Sequence, residues 1–507
     1  MGPDAPLPTD EKLDGEHQEH VLGDESSIKG GPNAIDPLNA LGIENWGDVE
    51  KKVVKRLDMT ILPMLWILYL SNYLDRTNIA QAMLDDFDVH LNLGPQGYNT
   101  AVSLLTVGYM IGQLPSNMLL TRVRPGIYLS GCALVWSVCS ACTAAAHNET
   151  TLYVIRFFLG ITEAPLFPGA VFILSAWYTR KELALRITIL YSGLVLGQAC
   201  SGLIAAGVFH GLSGVNGLHG WQWLFILEAA SGAAVAILAF FVIPDFPHSK
   251  TGAAMWYMTE EMRSVATARM QADRVSEGEA HHGVFYGVGL ACKDYKLYLF
   301  SFTNFCMTAS YGFNFFFPEI VSGLGIGSGP NTTEEMQRVY SLLLTAPPYI
   351  FAALVSFAFA YNSDRIKNRS FHIIPALCLS LTGFVITVAT LNYPARYFSS
   401  FLFTPGSFSA NPLVYTWAVS TLSTTPEKRA ASGAIVNMVG HCGNIASPYF
   451  FSRDQAPRFL PAFIIMMSFA ATTIGCAVFT RWRLIVENKG LKRKADETGG
   501  RYVPFTL

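Results

Sequence analysis

The chain has few charged residues for its length. Only 14% of its 507 residues are Asp, Glu, Lys or Arg, whereas 51% are hydrophobic and the mean hydropathy is +0.32. Soluble proteins carry about 25% charged residues, so this shortage excludes an ordinary soluble enzyme. The formal net charge of -2 gives no support for binding to nucleic acid. The apolar residues come in long blocks, which indicates a protein that crosses the lipid bilayer several times.

The chain also lacks the motifs of metal, cofactor and nucleophile sites. Its nine cysteines have no CxxC or Cys/His spacing, which predicts small packing side chains rather than a disulfide framework or a metal centre. We therefore expect no metal, no cofactor and no enzyme activity. The opening stretch has no apolar run of the kind that a signal peptide needs, and its Asp, Glu, Gly and Pro content predicts a disordered tail.

Twelve apolar blocks follow this tail, and the widest gap between blocks lies between the sixth and the seventh. This pattern predicts an all-α membrane protein with twelve transmembrane helices in two six-helix, pseudo-symmetric halves. The predicted organisation is a disordered cytoplasmic tail at 1–55, a first half at 56–243, a charged and helical central linker at 244–296, a second half at 297–480 and a cytoplasmic tail at 481–507.

Lys and Arg are distributed unevenly among the loops, and this predicts the orientation. Alternate loops contain only Arg338, Arg396, Arg453 and Arg458, whereas the remaining loops and both ends of the chain are rich in basic residues. Both termini and the central linker are therefore predicted to be cytoplasmic. The sequons at Asn148 and Asn331 fall in predicted outer loops, which weakly supports this orientation.

Two of the predicted spans contain two charged residues each. The fourth span contains Arg156 and Glu163, which lie two turns apart on one helix face, and the first contains Asp75 and Arg76. Such residues in a span indicate a functional site. The alternatives are an ion pair that locks two helices, for Arg156 and Glu163, and a helix-end pair at the membrane surface, for Asp75 and Arg76. Counting residues along each span places Asp75, Arg76 and Arg156 near the outer side and Glu163 alone near the midplane.

Corresponding spans of the two halves contain similar helix breakers. The fourth span contains Pro165 and Pro168-Gly169, and the tenth contains Pro405-Gly406 and Pro412. Matching interruptions in two repeats predict a transporter binding site at the interface between the halves.

Seven sequence motifs in order give the chain a family resemblance. They are LYLSNYLDRTNIAQA at 68–82, YMIGQLPSNMLL at 109–120, RFFLGITEAPLFPG at 156–169, GWQWLFILEA at 220–229, SYGFNFFFPEI at 310–320, LLTAPPYI at 343–350 and NSDRIKNRS at 362–370. With the spans they occupy, they resemble the major facilitator superfamily, and within it the anion:cation symporter family and its fungal allantoate permease branch. The chain departs from the pattern at Pro165, where the family has Gly, and at 121–125, which lacks the usual Asp.

The resemblance implies a role for each charged residue. It implies proton coupling by Asp75 and Glu163 and anion binding by Arg76 and Arg156. Guanidinium groups can hold a carboxylate in a bidentate pair, and desolvation favours the protonated form of a carboxyl. For Glu228, in the sixth span, we expect a structural role.

The second half has no matching intramembrane charges. We expect Tyr311, Asn314 and Asn437 to shape the part of the site that meets the rest of the substrate, although most Phe side chains nearby are expected to face lipid or the core. The polar stripe of Asn437, His441 and Asn444 lies on one helix face, and His441 is expected to be a buried neutral side chain. The predicted cytoplasmic gate is a network of charged residues: Asp364, Arg365, Arg186 and Arg429.

These observations predict a proton-coupled secondary transporter that imports a small organic anion by alternating access. The expected partners are that carboxylate, protons and the bilayer, and the protein is expected to be a monomer in the fungal plasma membrane. An exporter or vacuolar carrier of a secondary metabolite, and a transporter-like nutrient receptor, are the alternatives.

Overall fold

The computed structural model describes residues 45–120, 122–247, 249, 251–275, 284–326, 332–366, 368–422, 425–456, 458–498 and 505. Within these ranges the chain is helical, and its extended structure is limited to an isolated bridge between Pro244 and Gly252. Most of the predicted N-terminal tail, and Asn331 of the second sequon, lie outside the described residues.

The first half contains six long helical segments that alternate in direction. They are α1 (Trp46–Ala82), α2 (Gly97–Leu120), α3 (Pro125–Thr143), α4 (Glu149–Glu163 and Leu166–Trp177), α5 (Arg180–Leu212) and α6 (Gly220–Val242). Short turns of helix at Phe87–His90 and Val215–Gly217 lie in the connections. The linker contains helices Ala254–Tyr257, Glu260–Val275 and Val284–Lys293.

The second half contains six further segments in its described part. They are α7 (Tyr295–Ser310, continued by Gly312–Phe315 and Phe317–Ser322), α8 (Glu334–Leu343 and Ala346–Ile366), α9 (Ser370–Ala389), α10 (Tyr393–Thr421), α11 (Pro426–Ala446) and α12 (Leu460–Thr498). Helical turns at Ser447–Phe450 and Arg453–Gln455 connect α11 to α12. The twelve segments match the twelve predicted spans, and the predicted fold class is confirmed.

Seven of these segments, α3, α4, α5, α6, α8, α9 and α12, are long and apolar enough in length and composition to cross a membrane. The others contain more polar residues. In α1 the buried side chains include Asn72, Asp75 and Asn78, and in α10 they include Ser399 and Ser407. Helices that bury polar groups against other helices therefore have a lower hydropathy than helices that face lipid.

Some predicted boundaries and breaks differ from the structure. α1 begins at Trp46, inside the predicted tail at 1–55, and α12 continues to Thr498, past the predicted boundary at 480. The predicted break at Pro165 is confirmed, because α4 stops at Glu163 and restarts at Leu166, whereas the predicted break at Pro168-Gly169 is wrong, because both residues lie inside the helix Leu166–Trp177. The predicted break in the tenth span is wrong: α10 is one helix that contains both prolines, which neighbouring helices can tolerate by covering the freed backbone groups.

Glycines bring α4 into backbone contact with α2, and this contact positions the charged residues of α4. A Cβ on Gly160 would lie 2.0 Å from the carbonyl oxygen of Leu105, and a Cβ on Gly108 would lie 2.1 Å from that of Phe157. Only glycine permits this approach. Asn148 fixes the start of α4, since its side chain accepts a hydrogen bond from the Thr151 N–H at 2.8 Å.

Candidate functional site

Arg76 and Glu163 form an ion pair between α1 and α4. Arg76 Nε donates to Glu163 Oε2 at 2.6 Å; the Glu163 side chain is fully buried and that of Arg76 is 19% exposed. The Arg76 guanidinium also lies over the rings of Tyr109 and Tyr73, at 4.7 and 5.3 Å. The sequence placed Glu163 alone, and this was wrong, because the long Arg76 side chain reaches it from another level of the bundle.

Asp75 faces a different neighbour from Arg76. Consecutive helical residues point about 100° apart, and Ser140 Oγ of α3 donates to Asp75 Oδ1 at 2.8 Å. Asp75 is fully buried, and its Oδ2 has no hydrogen-bond partner among the described residues. Both residues lie more than one turn inside α1, which ends at Ala82. The structure therefore does not support the helix-end pair.

Arg156 is a buried guanidinium without a carboxylate at hydrogen-bond distance in the described part of the chain. Its side chain is 1% exposed, its Nη2 donates to Asn78 Oδ1 at 3.5 Å, and its Nε has no partner there. The guanidinium carbon lies 5.7 Å from the centre of the Phe225 ring. A buried cation whose donors are largely unused is able to accept an anion, because its desolvation is not offset by an internal partner.

The second half reaches the Arg76–Glu163 pair through α11. The ring of His441 lies 5.1 Å from the ring of Tyr109, which in turn contacts Arg76. Two hydrogen bonds fix α11 against α7: Asn304 Nδ2 donates to the Val436 carbonyl at 3.0 Å, and Thr308 Oγ1 donates to the Gly440 carbonyl at 2.6 Å. The halves therefore meet beside the charged cluster.

The three polar residues predicted in the second half occupy different environments. Asn314 Oδ1 accepts from the Tyr349 hydroxyl at 2.7 Å, and Tyr311 contacts the rings of Phe313 and Phe408. Asn437 is partly buried on α11. Tyr311 and Asn314 therefore belong to the aromatic region between α7, α8 and α10, and Asn437 lies one turn before His441.

The predicted cytoplasmic gate has a different arrangement in the structure. Arg186 binds Asp58 of α1 in a bidentate pair, with Nε–Oδ1 and Nη2–Oδ2 distances of 2.7 Å, and Tyr178 donates to the same carboxylate at 2.8 Å. All three lie in the first half. Arg365 and Arg429 are exposed, and the side chain of Asp364 lies outside the described residues.

Hydrogen bonds between the halves cluster at one end of the bundle, which we call the closed end. The Tyr98 hydroxyl donates to the Phe315 carbonyl at 2.5 Å, and Asn99 Nδ2 donates to the Phe451 carbonyl at 3.0 Å. Ser103 extends the contact by donating to the carbonyl of Ile445 at 2.9 Å. These bonds join the start of α2 to the ends of α7 and α11.

Arg338 is an additional ionic contact at the closed end. Its Nη1 lies 3.2 Å from Asp85 Oδ1 and its Nη2 lies 3.0 Å from Asp86 Oδ2, so it links α8 to the loop after α1. Sequence reasoning missed this contact. The available signal was that Arg338 is one of the few basic residues in the loops predicted to be outside.

Comparison with known proteins identifies the family. The model of the Major Facilitator Superfamily matches residues 65–448. The chain belongs to this superfamily. Its fold agrees: the partially occluded inward-open xylose transporter XylE from E. coli aligns with a TM-score of 0.62 at 13% identity, over 84% of this chain and 97% of XylE.

Members of the superfamily with similar sequences include several transporters. Major facilitator-type transporter hxnP of Emericella nidulans is 30% identical over 464 residues, covering 90% of this chain and 89% of the relative. MFS-type transporter cnsO of Penicillium expansum is 32% identical, covering 88% and 85%. A putative tartrate transporter of Agrobacterium vitis is 26% identical, covering 79% and 84%. The protein is thus a multi-pass membrane protein and a secondary transporter of the major facilitator superfamily.

Proposed function

We propose that the protein is a proton-coupled symporter of the anion:cation symporter family, in its fungal allantoate permease branch, and that it imports a small carboxylate. The observation that carries this proposal is the 2.6 Å bond between Arg76 and Glu163. It pairs a strong anion-binding group with an internal carboxyl that a proton can neutralise.

Protonation of Glu163 controls the availability of Arg76 in this mechanism. A charged Glu163 occupies the Nε donor of Arg76. When Glu163 takes a proton, the guanidinium loses its anionic partner and binds a substrate carboxylate instead. When Glu163 releases the proton, its carboxylate competes with the substrate for Arg76. Binding of substrate and proton is therefore coupled, since each favours the other.

Arg156 provides a second anion-binding group. Its Nε has no partner in the described part of the chain, and its one hydrogen bond, to Asn78, is long at 3.5 Å. Arg76 and Arg156 both come from the first half, so the substrate carboxylate binds there, and Tyr311, Asn314 and Asn437 of the second half contact the rest of the molecule. A carboxylate substrate is consistent with the relative named as a putative tartrate transporter.

The loop charges and the closed end together support a direction of transport. The excess of Lys and Arg puts both termini in the cytoplasm, so the closed end of Arg338, Tyr98 and Asn99 faces outward. The conformation described here then exposes the site to the cytoplasm, where Glu163 releases its proton and reclaims Arg76. This is the release step of an importer in the plasma membrane. The protein acts as a monomer in this mechanism, because a single chain contains both halves.

Uptake by the purified protein in lipid vesicles tests the proposal. Labelled tartrate, nicotinate, pantothenate and allantoate are offered with an inward proton gradient, without a gradient, and with an uncoupler. We expect one or more of them to accumulate only with the gradient. Uptake of an accepted carboxylate that ignores the gradient contradicts proton coupling, and accumulation only under the reversed gradient contradicts import. Microscopy of the tagged protein distinguishes the plasma membrane from the vacuolar membrane.

A further inference from the structure

Glu228 is a buried carboxyl that the mechanism above does not use. It lies on α6 and is 5% exposed, and neither of its carboxyl oxygens has a hydrogen-bond partner among the described residues. Sequence reasoning assigned it a structural role. A structural carboxylate, however, is normally held by hydrogen bonds or a cation, because burying an unpaired charge is strongly unfavourable.

The neighbours of Glu228 include a second carboxyl, that of Asp75. Glu228 lies beside Asn78 and within electrostatic range of Asp75, both on α1. One turn further along α6, a Cβ on Gly232 would lie 3.9 Å from Asp75 Oδ2 and 2.9 Å from Ser137 Oγ. The oxygen of Asp75 that lacks a partner therefore faces the same side of α6 as Glu228.

Few charged groups surround this pair of carboxyls. α3 contributes Trp136, Ser137 and Ser140, which are neutral. α4 contributes Arg156, which reaches the cluster through Asn78 and Phe225, and Glu163, whose charge acts on Asp75. α5 packs on the start of α6, around Gly220 and Leu224, with the apolar side chains of Ala205 and Phe209. Arg76 is occupied by Glu163 on another face of α1.

Two buried carboxylates that share one site do not both ionise, since each disfavours the charge of the other. Asp75 has the better environment for a charge, because it accepts a hydrogen bond from Ser140 and Arg156 lies nearby, although the charge of Glu163 acts against it. Glu228 lies beside the neutral Asn78 but has no donor at hydrogen-bond distance in the part of the chain that the structure describes. The proton of the pair therefore belongs on Glu228 in this conformation.

We propose that Glu228 and Asp75 form a carboxyl pair that holds one proton, and that Glu228 is a second proton site of the transport cycle. The proton transfer breaks the O–H bond of Glu228 and forms one at Oδ2 of Asp75, the oxygen without a partner. Asp75 is then the exit for a proton stored on Glu228. This inference rests on the proposed proton coupling and adds a carboxyl separate from the Arg76–Glu163 pair.

Infrared spectroscopy of the protein in lipid vesicles tests the protonation without any substrate. The carboxyl stretching band of a protonated side chain, identified by its shift in D2O, is compared near neutral pH in the wild type, Glu228→Gln, Glu163→Gln and Glu261→Gln. Glu261 is an exposed carboxyl of the linker and serves as the control. We expect Glu228→Gln to lose a band that the Glu261→Gln protein keeps. A band unchanged in Glu228→Gln overturns the inference.

Transport then decides whether this proton is used. The probe is whichever of the four labelled carboxylates the wild type accumulates, with the membrane potential set to zero. Loss of one coupled proton lowers the steady-state accumulation ratio about tenfold per unit of pH gradient, so Glu228→Gln should show that drop and keep counterflow exchange. A Glu228→Gln protein that loses the band but accumulates like the wild type overturns the transport role. Uptake by the wild type that does not depend on the proton gradient overturns the proposed function instead. The infrared result on the proton of Glu228 does not depend on that outcome.

Discussion

Arg76 Nε and Glu163 Oε2 lie 2.6 Å apart, although the two residues are 87 positions apart in the sequence. Their hydrogen bond joins α1 to α4. Arg76 stays 19% exposed while Glu163 is fully buried. The pair is thus accessible on its cationic side and closed on its anionic side. In the proposed mechanism, a substrate carboxylate approaches the guanidinium directly, whereas Glu163 is reached through the protein.

Replacing Arg156 by Lys should weaken substrate binding. Lysine retains the charge but loses the planar fork that binds a carboxylate at two points. Losing a hydrogen bond to a charged group costs roughly 1.5 to 3 kcal/mol, so KM for uptake of the accepted carboxylate should rise about tenfold to a hundredfold. Initial uptake rates in vesicles measure it. Arg122→Lys, at an exposed position, is the matched control, and an unchanged KM in Arg156→Lys removes Arg156 from the binding site.

Replacing Arg338 by Gln should loosen the closed end. The substitution leaves Asp85 and Asp86 without the cation that links them to α8. A partly exposed pair contributes about 0.5 to 1 kcal/mol, so hydrogen exchange in residues 83–96 and 334–343 should become about two- to fivefold faster. Arg493→Gln, which removes an exposed pair with Glu497 on α12, should leave both segments unchanged. Equal exchange in the Arg338→Gln and Arg493→Gln proteins would show that this contact does not hold the closed end.

Replacing Gly160 by Ala should destabilise the contact between α4 and α2. The added methyl would lie 2.0 Å from the Leu105 carbonyl oxygen, so the helices must separate. Overpacking of this kind costs about 1 to 3 kcal/mol, and a lower Tm of the purified protein measures it. Gly131→Ala on α3 has nothing within 4 Å of the new methyl and is the control. A Tm as high as that of Gly131→Ala would mean that the close approach of α4 to α2 does not contribute to the stability of the protein.

Replacing Arg269 by Gln should release the linker helix Glu260–Val275. The Arg269 side chain is 1% exposed and lies 3.3 Å from Glu182 and 3.6 Å from Glu50, and it donates to the Trp177 carbonyl at 2.5 Å. Breaking a buried pair costs about 3 to 5 kcal/mol. We expect proteolysis within residues 260–275 to become much faster, and Arg122→Gln to leave it unchanged. Protection equal to that of the wild type contradicts the buried contact.

The sequence predicted the fold well because hydropathy depends on local composition. It also selected Asp75, Arg76, Arg156 and Glu163, since charges inside apolar runs are conspicuous. Pairing was harder to predict. Counting residues gives the depth of a Cα atom, but the long Arg76 side chain reaches Glu163 from another level.

Long-range partners were not predicted from the sequence. Arg186 stays a predicted member of the cytoplasmic gate, and in this structure it binds Asp58 of its own half, 128 positions away. Arg338 binds Asp85 and Asp86 from more than 250 positions away. Neither pairing has a local sequence signature, because only the packing of helices brings the partners together.

The most direct test of the central claim is Glu163→Gln, measured in vesicles with the labelled carboxylate that the wild type accumulates. A glutamine keeps the shape of the side chain but cannot gain or lose a proton. We expect gradient-driven accumulation to fall to the level seen without a gradient, while counterflow exchange continues because Arg76 is permanently free of its anionic partner. A Glu163→Gln protein that accumulates the carboxylate as the wild type does would contradict the account.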